Sequence, residues 1–105
     1  MNPGKLRFPL ELQAPDDAAG ADSGLAPHWN TLATVRADIE PLSGREYFAA
    51  AQVNAEISHR IRLWYRTDVT PKCRGVWGTR TFDFVSVINV GERNIELEIM
   101  AVETV

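Results

Sequence analysis

The chain has a single cysteine, Cys73, in 105 residues, so no internal disulfide can staple it. A lone thiol is compatible with a reducing compartment. Histidine is nearly as scarce, and a metal site built on Cys73 would need His28 and His59 close in space. No apolar run approaches the ~20 residues a bilayer-spanning helix requires. The opening Met-Asn-Pro-Gly-Lys lacks the apolar core of a signal peptide, so the expectation is a soluble protein, intracellular when made, with no membrane partner. Basic residues number 11 against 14 acidic ones, a net charge of −3, which argues against indiscriminate binding to polyanions. At this length one domain spanning 1–105 is expected, burying roughly two-thirds of the surface of its unfolded chain.

What the chain does have is alternation. Leu6, Phe8, Leu10 and Leu12 share one face of an opening strand, with Lys5, Arg7, Glu11 and Gln13 on the other. Pro9 has no amide proton to donate, so an edge strand or an unpaired position is expected there. Residues 14–28 are rich in Ala, Gly, Asp and Ser and read as a mobile loop. Its Asp16, Asp17 and Asp22 do not have the spacing of an EF-hand. From Trp29 to Pro41 alternation resumes, with Ala33, Val35, Ala37 and Ile39 inward and Thr34, Arg36, Asp38 and Glu40 outward. Further strands follow at Ile57–Arg66, Arg74–Trp77, Arg80–Val90 and Ile95–Val102, joined by turns at 67–72, 78–79 and 91–94. The sum is a mainly β protein, a small antiparallel barrel or sandwich of about six strands.

One helix interrupts this pattern, inserted between strands over residues 42–55. Ser43 and Glu46 have the spacing of a capping box. Phe48, Ala51 and Ala55 make one modest apolar stripe, too small to hold a helix in water without a sheet or a partner.

Candidate chemistry is sparse. Arg60, Arg62, Trp64 and Arg66 share the outward face of the third strand and resemble a stacking platform for single-stranded nucleic acid. The alternative is neutralisation by Glu96 and Glu98, which have the same period on the last strand and would pair across if the two strands are neighbours. His59 lies on an apolar face and reads as a buried, hydrogen-bonded histidine; His28 reads as a loop-end residue. Cys73 has no histidine or carboxylate at a spacing that would make it a nucleophile. Gly75-Val-Trp-Gly78 lacks the spacing and lysine of a phosphate loop. No enzyme signature, cofactor motif or metal motif emerges.

The order of motifs resembles a known family. Ala37-Asp-Ile-Glu-Pro-Leu-Ser-Gly-Arg-Glu-Tyr-Phe-Ala-Ala-Ala-Gln52 is similar to the central signature of tailed-bacteriophage head-closure proteins, also called head–tail joining proteins, adaptors or stoppers. Asn2-Pro-Gly-Lys-Leu-Arg7, Ile61-Arg-Leu-Trp-Tyr-Arg66, Val69-Thr-Pro71, Arg74 with Gly78, Arg80 and Phe82, Val87-Ile-Asn89 and Glu92-Arg-Asn94 follow in the family's order. Two positions depart from the pattern: Phe8-Pro9, and Cys73 where a larger apolar residue is usual. The resemblance implies a small β-barrel of the virion neck, assembled in the host cytoplasm as a ring below the portal. Such a ring seals the DNA-filled head, docks the tail and works without catalysis. Implied partners are the portal or a portal-side adaptor, a tail-side neck protein and further copies of the chain, with DNA passing through the ring channel. Because a ring contact needs two different surfaces, Leu42, Ser43, Gly44, Arg45, Glu46, Tyr47, Phe48 and Gln52 are expected to supply one of them, ordering on assembly. The nucleic-acid module built on Arg60, Arg62, Trp64 and Arg66 is the alternative.

Overall fold

The computed structural model describes residues 4, 6–15, 29–51 and 56–104. The loop expected over 14–28 lies mostly outside these residues, as does the end of the expected helix at 52–55. Six strands form in the order β1 (Phe8–Pro15), β2 (Trp29–Pro41), β3 (His59–Trp64), β4 (Arg74–Trp77), β5 (Arg80–Asn89) and β6 (Glu96–Thr104). A helix, α1 (Gly44–Ala51), joins β2 to β3, and a short 3-10 turn (Val90–Glu92) follows β5. All pairings are antiparallel, and the neighbours run β1-β2-β3-β6-β5-β4 before closing on β1, so the sheet is a barrel and not a sandwich.

Of the two expectations for Pro9, closure removes the edge strand and leaves the unpaired position. Pro9 lies opposite Arg36 on β2, while on its other flank β1 meets β4 only from Glu11 to Gln13. Pro9 thus sits beyond the β1–β4 ladder, where that flank demands no donor. Strand β1 also runs two residues further than expected, because Ala14 and Pro15 pair with Asn30 and Trp29 after a bulge at Leu12/Gln13. A second bulge in β5, between Phe84 and Ser86, bends the opposite wall.

The inward faces meet as the alternation requires. Leu10, Leu12, Ala37, Ile61, Leu63, Phe82, Leu97, Ile99 and Ala101 are each at most 3% exposed and fill the interior in one cluster. A six-stranded barrel has a narrow bore, and one position must give way. Gly75 on β4 pairs with Leu12 and Phe82, and a Cβ built on it would lie 2.8 Å from Leu10 Cδ1 and 2.9 Å from Leu10 Cγ. Asp38 departs from the period-two reading. It belongs to the outward set, yet it is only 7% exposed, covered beside Glu40 and opposite Arg62.

Successive antiparallel strands send their connections to alternating ends. The helix and the tight Gly78-Thr79 turn stand at one end, and the β1–β2, β3–β4 and β5–β6 connections leave from the other. At the tight turn Gly78 has φ of 62°, a left-handed value glycine takes without a Cβ penalty.

Replacing Gly75 with Ala is expected to lower unfolding free energy by about 1–3 kcal/mol through overpacking against Leu10. The compensating double variant G75A/L10V should recover part of that loss. Denaturant unfolding of the three proteins measures both effects.

Candidate functional site

The helix and the strand face singled out in the sequence meet at one side chain. Ser43 stands just before α1, and its hydroxyl donates to Glu46 Oε1 at 3.0 Å. The Ser43–Glu46 pair therefore forms, but side chain to side chain, in place of the reciprocal bonds to backbone amides that a capping box makes. Glu46 also accepts from Arg60 Nη1. Arg60 Nη2 donates to Glu40 Oε2 at 2.9 Å, and its Nε lies 3.8 Å from Glu98 Oε1. One guanidinium thus gathers three carboxylates from β2, α1 and β6. The hydrogen bond from Arg60 holds the Glu40 carboxyl below its ordinary value, and Glu40 in turn raises the Arg60 guanidinium. Among the described residues this cluster, with the Leu42 amide donating to the Ser58 carbonyl at 3.0 Å, ties the helical insertion to the barrel.

Beyond that tie α1 is turned outward. Among the described residues no strand packs along it, and Phe48 is 72% exposed. Ser43, Gly44 and Arg45 are exposed as well, and Leu42 and Glu46 are partly so. Gln52 and the side chain of Tyr47 lie outside what is described.

The arginine–tryptophan face is arranged differently from a continuous platform. Strands β3 and β6 are neighbours, with Arg62 opposite Glu98 and Trp64 opposite Glu96. Arg60 is occupied by its carboxylates, and Arg66 lies past the strand end, donating to Asp68 through Nε at 3.0 Å and Nη2 at 2.8 Å. That bidentate hydrogen bond lowers the Asp68 carboxyl and raises Arg66. Trp64, 44% exposed, and Arg62 remain directed outward.

At the helix end of the bore lies a polar cluster that strand patterning does not reveal, since its members are far apart in the chain. Arg80 donates to Glu103 through Nε at 2.7 Å and Nη2 at 3.1 Å, and its Nη2 lies 3.4 Å from His59 Nε2. Arginine only donates, so Nε2 accepts and the Nδ1 proton faces Ser58 Oγ at 2.8 Å. Burial pushes the His59 pKa below its ordinary value, and the imidazole stands edge-on to Phe82 with centroids 5.2 Å apart. His59 is therefore the buried, hydrogen-bonded histidine expected from its position. Arg80 lowers the Glu103 carboxyl through their hydrogen bond. Ser58 is not poised as a nucleophile, because the Nδ1 proton of His59 faces its Oγ and leaves no base there to take the hydroxyl proton; the Oγ also accepts from the Glu103 amide at 3.1 Å.

Cys73 is buried, and its sulfur accepts from the Thr70 amide at 3.4 Å and donates to the Asp68 carbonyl at 3.7 Å. Among the described residues no group of three or more His, Cys, Asp or Glu side chains could hold a metal ion. No described helix is long and apolar enough to cross a membrane.

The described residues present an outward helix at one end of a closed barrel. Comparison with known proteins gives the class. Residues 1–104 match the phage head completion protein family, and the chain belongs to it. Membership supports a structural role in closing the phage head as a virion component, and it suggests a protein that is not an enzyme. No curated protein matches the chain. Among solved structures, a Shigella flexneri 2a protein determined in solution is similar, with a TM-score of 0.68, 22% identity, and coverage of 98% of this chain and 96% of that one. At that identity the likeness shows the fold alone.

Two substitutions separate the tie from the fold. Arg60→Ala leaves three gathered carboxylates without their cation and is expected to cost about 1–2 kcal/mol. Glu46→Gln removes one partly exposed partner and should cost no more than about 0.5 kcal/mol. Chemical denaturation gives both values. The pH dependence follows from the lowered values of Glu40, Asp68, Glu103 and His59. Each such group binds its proton more readily in the unfolded chain, so its contribution is full above its ordinary pKa and is lost as pH falls through the lowered one. Thermal stability is therefore expected to be level near neutrality and to decline on acidification. His59→Asn should flatten the part of the decline that begins as pH falls below about 6.5.

Proposed function

We propose that this protein closes the DNA-filled head from the neck, as a ring of copies below the portal that also offers the tail its docking surface. The observation that carries this reading is the outward α1, with Phe48 72% exposed, at one end of a closed barrel whose longest connection, between Pro15 and Trp29, leaves from the other. A protein held between a portal-side and a tail-side neighbour needs two chemically different ends, and this topology supplies them. Leu42 to Gln52 forms one assembly surface. Its weakly amphipathic helix leaves most of Phe48 in solvent, and burying that surface against a neighbour would add apolar contact. DNA passes through the ring channel, and no chemistry on it is required.

Two tests bear on the reading. A lysate of the parent phage lacking the gene should hold capsids without tails, free tails beside them, and DNA leaking from heads in electron micrographs. Normal tailed particles would move the protein out of the neck. Deletion of Ser43–Gln52 should leave a folded barrel by circular dichroism that cannot complete heads. Tailed, infectious particles from that deletion would remove the helix from the interface.

A further inference from the structure

The barrel wall carries two faces that the helix does not account for. Between β1 and β2 a shallow hollow is lined by Arg7, Pro9, Thr34, Val35 and Arg36. All but Val35 are exposed, and among the described residues neither arginine takes part in an ion pair. The hollow is therefore cationic, with an apolar flank from Pro9, while the Val35 side chain packs toward the core. Around a six-stranded barrel β2 and β5 stand three places apart, so β5 and β6 form the opposite side. There Ile88 projects, 50% exposed, directly across from Glu98, with Glu96 one outward position further along β6 and Asp83 exposed on β5. The outward positions of β5 and β6 hold no basic residue. Arg60 is shared among Glu40, Glu46 and Glu98, and Arg62 stands opposite Glu98 on β3, so Glu98 is partly neutralised from within, whereas Glu96 takes part in no ion pair among the described residues. One side thus presents an apolar knob beside Glu98 and Glu96, the other a hollow flanked by guanidiniums.

A contact between two different faces of one chain is heterologous, and repeated from copy to copy it forms a ring where its rotation closes. Resting on the ring reading above, we infer that the β5–β6 face of each copy seats in the β1–β2 hollow of the next. Ile88 enters the hollow, and Glu96 and Glu98 meet Arg7 and Arg36. The partner is a second copy of this chain, joined head to tail.

The test uses particles from the parent phage. Thr34→Cys and Ile88→Cys are placed together in one chain, and completed heads are oxidised and run on a non-reducing gel. Cys73 is buried and adds no cross-link. The double variant should give a ladder extending beyond dimers, and each single variant should give none. A ladder from either single variant, a cross-link to a different protein, or no ladder from particles that contain the chain would each overturn the assignment while leaving head closure standing. Absence of the chain from particles would overturn head closure and this contact with it. Charge exchange gives a second readout. Arg36→Glu and Glu96→Arg should each lower the yield of completed heads by at least roughly tenfold, and combining them in one chain should restore it, as reversed but matched charges do. Failure of the combination to restore the yield, with folding verified by thermal melting, would overturn the proposed pairing.

Discussion

The β1–β4 seam is the constraint on which the rest of the molecule depends. Three residue pairs, Glu11–Val76, Leu12–Gly75 and Gln13–Arg74, convert a six-stranded sheet with two open edges into a barrel with none. Open edges invite pairing with other chains. Closing so small a barrel requires Leu10 and Leu12 to share the bore with β4, and the missing side chain of Gly75 is what lets them. Arg74 reinforces the seam, donating to Gln13 Oε1 at 2.7 Å and lying 4.1 Å from the Trp29 ring. With the wall closed, hydrophobic burial is complete inside, and the remaining polar and apolar surface is available for neighbours.

The helix depends on the wall in turn. Its eight described residues are too few to persist by propensity, and Phe48 is largely exposed. What positions it is electrostatic, a carboxylate in its first turn reaching an arginine on β3 that β2 and β6 already hold. An attachment of this kind orients the insertion while committing little of its surface, which suits the assembly role proposed for it.

The strands were legible because period-two alternation is local, and their inward residues could be named from the sequence. The capping pair was legible for the same reason, three residues being one helical turn. The adjacency of β3 and β6 could be anticipated from matching patterns of Arg and Glu. The Arg60 cluster could not, since Glu40 and Glu46 reach it from elements whose geometry depends on closure. Nor could the approach of Gly75 to Leu10, 65 residues apart in the chain. Asp38 shows the limit of alternation, which gives the direction of a side chain but not whether its neighbours cover it. Arg80, His59 and Glu103 come together only because β3, β5 and β6 end at one rim.

Cys73 gives the molecule a reporter of its own motions. The thiol is 3% exposed and held by Thr70 and Asp68 within the β3–β4 connection, and its carbonyl accepts from the Phe84 amide at 3.3 Å. No thiol reagent can reach it until that connection lifts from β5. The rate of modification in the native protein therefore measures how often this rim opens, separately from global unfolding. Comparing that rate between free chain and assembled particle would register the stiffening that neighbours impose on one end of the barrel, without altering a residue.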